Sequence, residues 1–114
     1  MPKDGVVYLF EEDKKMENQK AWYLKESNKI GSAFQHFQNT LDEQSVLDVR
    51  TRELLKLALA CVLRCRHCTE GHIKKALELG ATKQEITETL MIAALEGAGT
   101  QLAWDKEFFQ EVLG

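Results

Sequence analysis

Apolar positions recur at helical spacing along most of the chain, and no segment sustains a period-two alternation. After Ser27, placed as an N-cap, Ile30, Phe34, Phe37 and Leu41 follow the i, i+4, i+7, i+11 pattern of a helix burying one stripe. Asp48 caps a further helix in which Leu54, Leu55, Leu57, Ala58, Cys61 and Val62 are apolar on nearly every face. Such a helix belongs at the centre of a protein or an oligomer. The next helix runs from about Arg66 to Leu79 and stops at Gly80, the glycine expected just past a helix end. Thr82 and Glu85 read as a capping box, with Ala81 and Ile86 spaced as its hydrophobic staple. Ile86, Leu90, Ala93, Ala94 and Gly97 mark the buried face of the helix that follows. Gly97 and Gly99 interrupt it before a last helix bearing Leu102, Trp104, Phe108, Phe109 and Val112. Upstream, residues 6–10 read as an extended arm and residues 12–25 as a helix with a thin apolar face of Met16 and Tyr23. The expected fold is all-α, a small bundle of about six helices.

Composition narrows the class. At 114 residues, 44% apolar and 29% charged, the chain has the make-up of one ordinary globular domain, with residues 1–26 as its N-terminal arm and helix. A net charge of -3, with no Lys/Arg cluster beyond a short pair, argues against nucleic acid or an anionic membrane as partner. The patch Val6 to Phe10 ends at once in Glu11-Glu12-Asp13, unlike a secretory signal. The longest apolar run, Leu57 to Leu63, is far short of the ~20 residues that span a bilayer. A cytoplasmic protein is expected.

The chemistry concentrates in one stretch. Three cysteines fall at 61, 65 and 68, too close together for a disulfide framework and suited instead to redox chemistry or a metal. Cys65 and Cys68 open a helix, where unsatisfied N–H groups and the positive end of the helix favour thiolate over thiol. His72 lies four residues past Cys68, on the same helical face, and can accept a thiol proton at neutral pH. If the flanking helices form an antiparallel hairpin turning near Arg64, Glu53 lies eleven residues before the turn and His72 eight after it. At ~1.5 Å per residue their offset is about one helical turn, so the carboxylate can orient the imidazole and stabilise its protonated form.

The run Leu47-Asp48-Val49-Arg50-Thr51-Arg52-Glu53-Leu54, the Cys65/Cys68/His72 cluster and the run Lys75 to Ile86 together resemble the AhpD-like alkylhydroperoxidase branch of the carboxymuconolactone decarboxylase family, over roughly residues 27–100. The resemblance implies a peroxidase-type enzyme. Cys68 is then the peroxidatic cysteine, Cys65 the resolving one, Glu53 and His72 the proton relay and His67 an auxiliary site residue. It further implies a trimer or hexamer, a hydroperoxide substrate, an external dithiol or protein reductant, and no tightly bound cofactor. On local electrostatics alone Cys65, nearer the helix start, would be the more nucleophilic sulfur. The resemblance and the i+4 histidine favour Cys68.

Other functions remain open to the same residues. The pair can exchange disulfides without turning over peroxide. A metal-binding oligomer is a further alternative, although Cys65, Cys68 and His72 offer at most three of the four ligands of a structural zinc. Cys61 reproduces the cysteine spacing of radical-SAM iron–sulfur sites, which need a far larger barrel, and reads instead as a buried, inert thiol. His36, beside Phe37, reads as a surface residue. Glu53 taken alone could be a first-turn carboxylate favouring the helix dipole.

Overall fold

The computed structural model describes residues 21–114. The expected arm at 6–10, and residues 12–20 of the first expected helix, lie outside the described residues. The described chain divides into two units, one ending at Ser45 and the other running from Val46 to Gly114. Among the described residues every regular element is helical, and no helix is long and apolar enough to cross a membrane.

In the first unit a 3-10 turn, Trp22–Leu24, precedes helix α1, Asn28–Gln44. Residues 22–24 were expected to end an α-helix and form this tighter turn instead. Gly31 makes it possible: a Cβ there would stand 2.7 Å from Tyr23 Cδ1 and 2.8 Å from Leu24 Cδ2. The close approach sets Tyr23 edge-to-face against Phe34, with ring centroids 6.1 Å apart. Ser27 holds the N-cap position, yet its side chain makes no capping hydrogen bond. The stripe of Ile30, Phe34, Phe37 and Leu41 forms as a face but is not buried, with Ile30 77% exposed. Periodicity fixes which side of a helix is apolar, and leaves open what covers it.

The second unit contains α2 (Val49–Val62), α3 (Arg66–Glu78), α4 (Lys83–Ala103) and α5 (Lys106–Leu113). Asp48 caps α2 as expected, accepting the Thr51 N–H at 2.8 Å and the Thr51 hydroxyl at 2.9 Å. The capping box of α4 is complete: Thr82 Oγ1 accepts the Glu85 N–H at 3.0 Å and Glu85 Oε1 accepts the Thr82 N–H at 2.9 Å. The other oxygen of Glu85 pairs with Arg50, tying α4 to α2. Ala81 and Ile86 are both buried beside this box, in a core with Leu57 and Ala76 that Leu54, Ile73 and Leu90 flank.

This core is smaller than the hydrophobic pattern implies. Leu55, Leu59 and Val62 of α2 are exposed, and on α4 Ala94 and Gly97 are exposed while Ala93 is half-buried. Helix α4 also runs unbroken through Gly97 and Gly99 to Ala103, against expectation. A glycine costs a helix only about 1 kcal/mol relative to alanine, and the neighbouring Ala98, Gln101, Leu102 and Ala103 are good helix formers. The break falls at Trp104 and Asp105, whose backbone leaves the helical region at φ -137°.

The turns that end α2 and α3 share one hydrogen-bond pattern. After α3, Ala81 N–H donates to Ala76 O and Gly80 N–H to Leu77 O, with Gly80 at φ +91°. After α2, Cys65 N–H donates to Ala60 O and Arg64 N–H to Cys61 O, with Arg64 at φ +59°. Both are Schellman motifs, in which a left-handed residue lets two terminal carbonyls find donors. The first uses glycine and the second an arginine. The turn after α2 is also one residue shorter, because Cys65 closes the motif and is itself the N-cap of α3.

Candidate active site

The hairpin of α2 and α3 sets the geometry of the cysteine pair. Cys65 and Cys68 are joined by a disulfide, with Cα atoms 5.2 Å apart. As N-cap of α3, Cys65 accepts the Cys68 N–H on its sulfur at 3.2 Å. Its carbonyl takes the Thr69 N–H at 2.9 Å and the Thr69 hydroxyl at 2.8 Å. Cys65 is thus anchored at its N–H by Ala60, at its carbonyl by Thr69 and at its sulfur by the Cys68 N–H.

Glu53 and His72 meet across the hairpin, as the spacing predicts: Nδ1 of His72 lies 2.8 Å from Glu53 Oε2. Glu53 sits in the second turn of α2, not the first, and is only 8% exposed, so favouring the helix dipole is not its role. Its other oxygen lies 3.6 Å from Lys56 Nζ. With Glu53 ionised, Nδ1 carries the imidazole proton and Nε2 presents a lone pair. A carboxylate held this way can steady a histidine that gains a proton, here within one helical turn of Cys68.

Three expected features stand apart from that arrangement. No hydrogen bond joins His72 to either sulfur in the oxidised pair. His67 is exposed on the first turn of α3 and makes no polar contact with the described residues. Cys61 is not the buried thiol expected: it is a free cysteine, half-buried, in the wall of an open depression of about 510 Å³. Arg64, Cys65, Arg66, Thr69 and Glu70 complete that wall. Among the described residues no group of three or more His, Cys, Asp and Glu side chains is placed to hold a metal. His36 is exposed on α1.

Sequence reasoning missed Lys56, Thr69 and the two arginines. Lys56 is three residues after Glu53, a spacing that could have flagged it. The spacing placed the hairpin turn near Arg64, but its left-handed backbone had no signal, because such a position is normally announced by glycine.

The comparisons agree with this architecture. A protein from Paracoccus denitrificans, named uncharacterized protein 4 in cox locus, is 38% identical over 74 residues, or 65% of this chain and 67% of its own length. An uncharacterized protein of Haemophilus influenzae is 38% identical over 52 residues, 46% of each chain. The crystal structure of a protein from Methanobacterium thermoautotrophicum superposes with a TM-score of 0.69 at 30% identity, covering 76% of this chain and 98% of that one. The profile of the carboxymuconolactone decarboxylase family matches residues 29–107, which include the whole α2–α3 hairpin with both cysteines, Glu53 and His72. The chain belongs to the carboxymuconolactone decarboxylase family.

Proposed function

We propose that the protein is a thiol-dependent peroxidase of the AhpD-like alkylhydroperoxidase branch of that family. The observation that carries this reading is the half-buried Glu53–His72 hydrogen bond, one turn beyond the cysteine pair. In the reduced protein Nε2 of His72 takes the Cys68 proton, and the Cys68 thiolate attacks the outer oxygen of a hydroperoxide. The O–O bond breaks, Cys68 becomes a sulfenic acid, and the departing alkoxide takes the proton from His72. The Cys65 thiol then condenses with the sulfenic acid, releasing water and forming the disulfide. An external dithiol or protein reductant restores both thiols. No bound cofactor takes part, and His67, exposed on the first turn of α3, is an auxiliary residue. A cytoplasmic location suits a disulfide that must be reduced in every cycle.

A homo-oligomer, trimer or hexamer, completes the reading. Ile30 and Phe37 on α1, Leu59 and Val62 on α2, and Leu95 and Leu102 on α4 are all more than half exposed. Apolar area on that scale is the mark of a surface covered by other subunits. The preference for three or six follows from the family resemblance.

A second reading has its own support. The Cys65 sulfur caps the helix and accepts the Cys68 N–H, which stabilises a thiolate at Cys65 and suits disulfide exchange without peroxide. Mass spectrometry of the thiols after one equivalent of hydroperoxide separates the two. Peroxidase chemistry gives a Cys65–Cys68 disulfide with Cys61 free, and a sulfenic acid at Cys68 in the Cys65→Ser variant. Unreacted peroxide beside a protein that still exchanges with small disulfides would favour the second reading.

A further inference from the structure

We propose that the donor which reduces the Cys65–Cys68 disulfide is a small carboxylate-bearing thiol that docks between Arg64 and Arg66 and attacks the Cys65 sulfur. The proposal rests on the dithiol–disulfide cycle above and names the chemistry of its reductant. The depression beside the pair takes Cys65, not Cys68, into its wall. A sulfur entering from this side therefore meets Cys65, and Cys68, next to His72, is the leaving side. At about 510 Å³ the depression is within the size range of small-molecule sites.

The charge of the wall selects the ligand. Two arginines and one glutamate, Glu70, line the depression, and neither Arg64 nor Arg66 has an ion-pair partner among the described residues. A guanidinium binds a carboxylate through paired N–H donors, a match that neutral or cationic thiols lack. Arg64 carries a further sign. It stands at φ +59° in a turn whose twin, after α3, uses Gly80 for the same hydrogen bonds. A side chain kept where glycine is the unstrained choice points to a use for that side chain.

The exchange balances. A donor thiolate attacks Cys65 Sγ, forming a donor–Cys65 mixed disulfide as the Cys65–Cys68 bond breaks and Cys68 leaves as thiolate, to be protonated by His72. A second donor thiolate attacks the donor sulfur of the mixed disulfide, releasing the oxidised donor and the Cys65 thiolate. Two thiols are oxidised to one disulfide as one protein disulfide is reduced to two thiols.

The test measures reduction of the oxidised protein by 3-mercaptopropionate, 2-mercaptoethanol and cysteamine, with rates normalised to thiolate concentration and corrected for nucleophilicity. At low ionic strength the carboxylate thiol should be about tenfold faster than the neutral one, and the cationic thiol slower. The advantage should fade toward equality in about 0.5 M salt. It should be lost in the Arg64→Gly/Arg66→Gln double variant, which puts glycine where glycine fits and alters one exposed helical residue. An acid-quenched mixed disulfide should map to Cys65. Equal rates for the three thiols, an advantage that survives the double variant, or a mixed disulfide on Cys68 would each overturn the assignment while leaving the cycle itself intact. A pair that never bridges on oxidation would remove the cycle and this proposal together.

Discussion

Replacing Glu53 by glutamine removes a charge and keeps the shape of the side chain. In the native site one oxygen meets the His72 Nδ1–H at 2.8 Å and the other lies 3.6 Å from Lys56 Nζ, with the residue 8% exposed. Glutamine can still accept the His72 N–H through its carbonyl, so the neutral ring stays oriented and the hairpin stays folded. What disappears is the attraction between a carboxylate and the imidazolium that forms when His72 takes a thiol proton. A hydrogen bond to a charged group contributes about 1.5–3 kcal/mol, against about 1 kcal/mol for a neutral one. The difference, about 0.5–2 kcal/mol, corresponds to a rate loss of about 2–30-fold at ~1.4 kcal/mol per decade. Removing the base outright, as in His72→Ala, should cost more, toward the 10²–10⁴ range of general-base effects. The assay is alkylation of reduced Cys68 by iodoacetamide, followed by peptide-resolved mass spectrometry between about pH 5 and 9, alongside hydroperoxide consumption. The Glu53→Gln deficit should be largest near neutral pH and close near pH ~9, where a thiol ionises unaided. Unchanged circular dichroism should accompany it. Equal rates for variant and wild type across that range, with both reagents, would refute the relay.

Further outcomes follow from other parts of the molecule. Leu57 is fully buried at the centre of a small core, so Leu57→Ala should destabilise the fold by about 2–5 kcal/mol in urea titration. The Thr51 backbone N–H holds the Asp48 carboxyl below its usual range, and the Thr82 backbone N–H, with Arg50, does the same for Glu85. A lowered folded pKa adds stability that is complete above the unfolded value, about 4, and lost as pH falls through the folded one. The unfolding midpoint should therefore drop below about pH 4, and less steeply in Asp48→Asn. Light scattering at low micromolar concentration should report a multiple of the 13.0 kDa chain, and a mass near one chain would defeat the oligomer.

What the sequence revealed depends on how local each cause was. Asp48, Gly80 and the Thr82–Glu85 box act on their own turns through bonds spanning a few residues, so residue type alone located three helix ends. The Glu53–His72 contact crosses nineteen positions, yet it was legible because two rigid helices and one turn convert sequence distance into axial distance. The uncovered stripe of α1 and the exposure of Ala94 and Gly97 on α4 were not legible, whereas the all-round apolar α2 had already marked a helix for the centre of a protein or an oligomer. A hydrophobic period states that a face avoids water, and the face of a neighbouring copy satisfies it as well as the chain's own core. Gly97 and Gly99 misled because the propensity of each was weighed without the helix formers around them. At Arg64 the turn was legible from the hairpin spacing and the left-handed backbone was not, because the residue stands without the glycine that usually signals one.

Cys65 closes the turn after α2 and opens α3, whereas the turn after α3 divides those duties between Ala81 and Thr82. The hairpin therefore has no spare length between its two helices, and the phase of α3 is locked to that of α2. One extra residue after Leu63, enough to give this turn the length of its twin, would uncouple the phase of α3 from that of α2. Nothing would then hold His72 in register with Glu53, although each helix and its composition stayed the same. Length at this junction is thus as much a part of the site as the residues themselves, and an alignment gap here would separate relatives that share the relay from those that cannot.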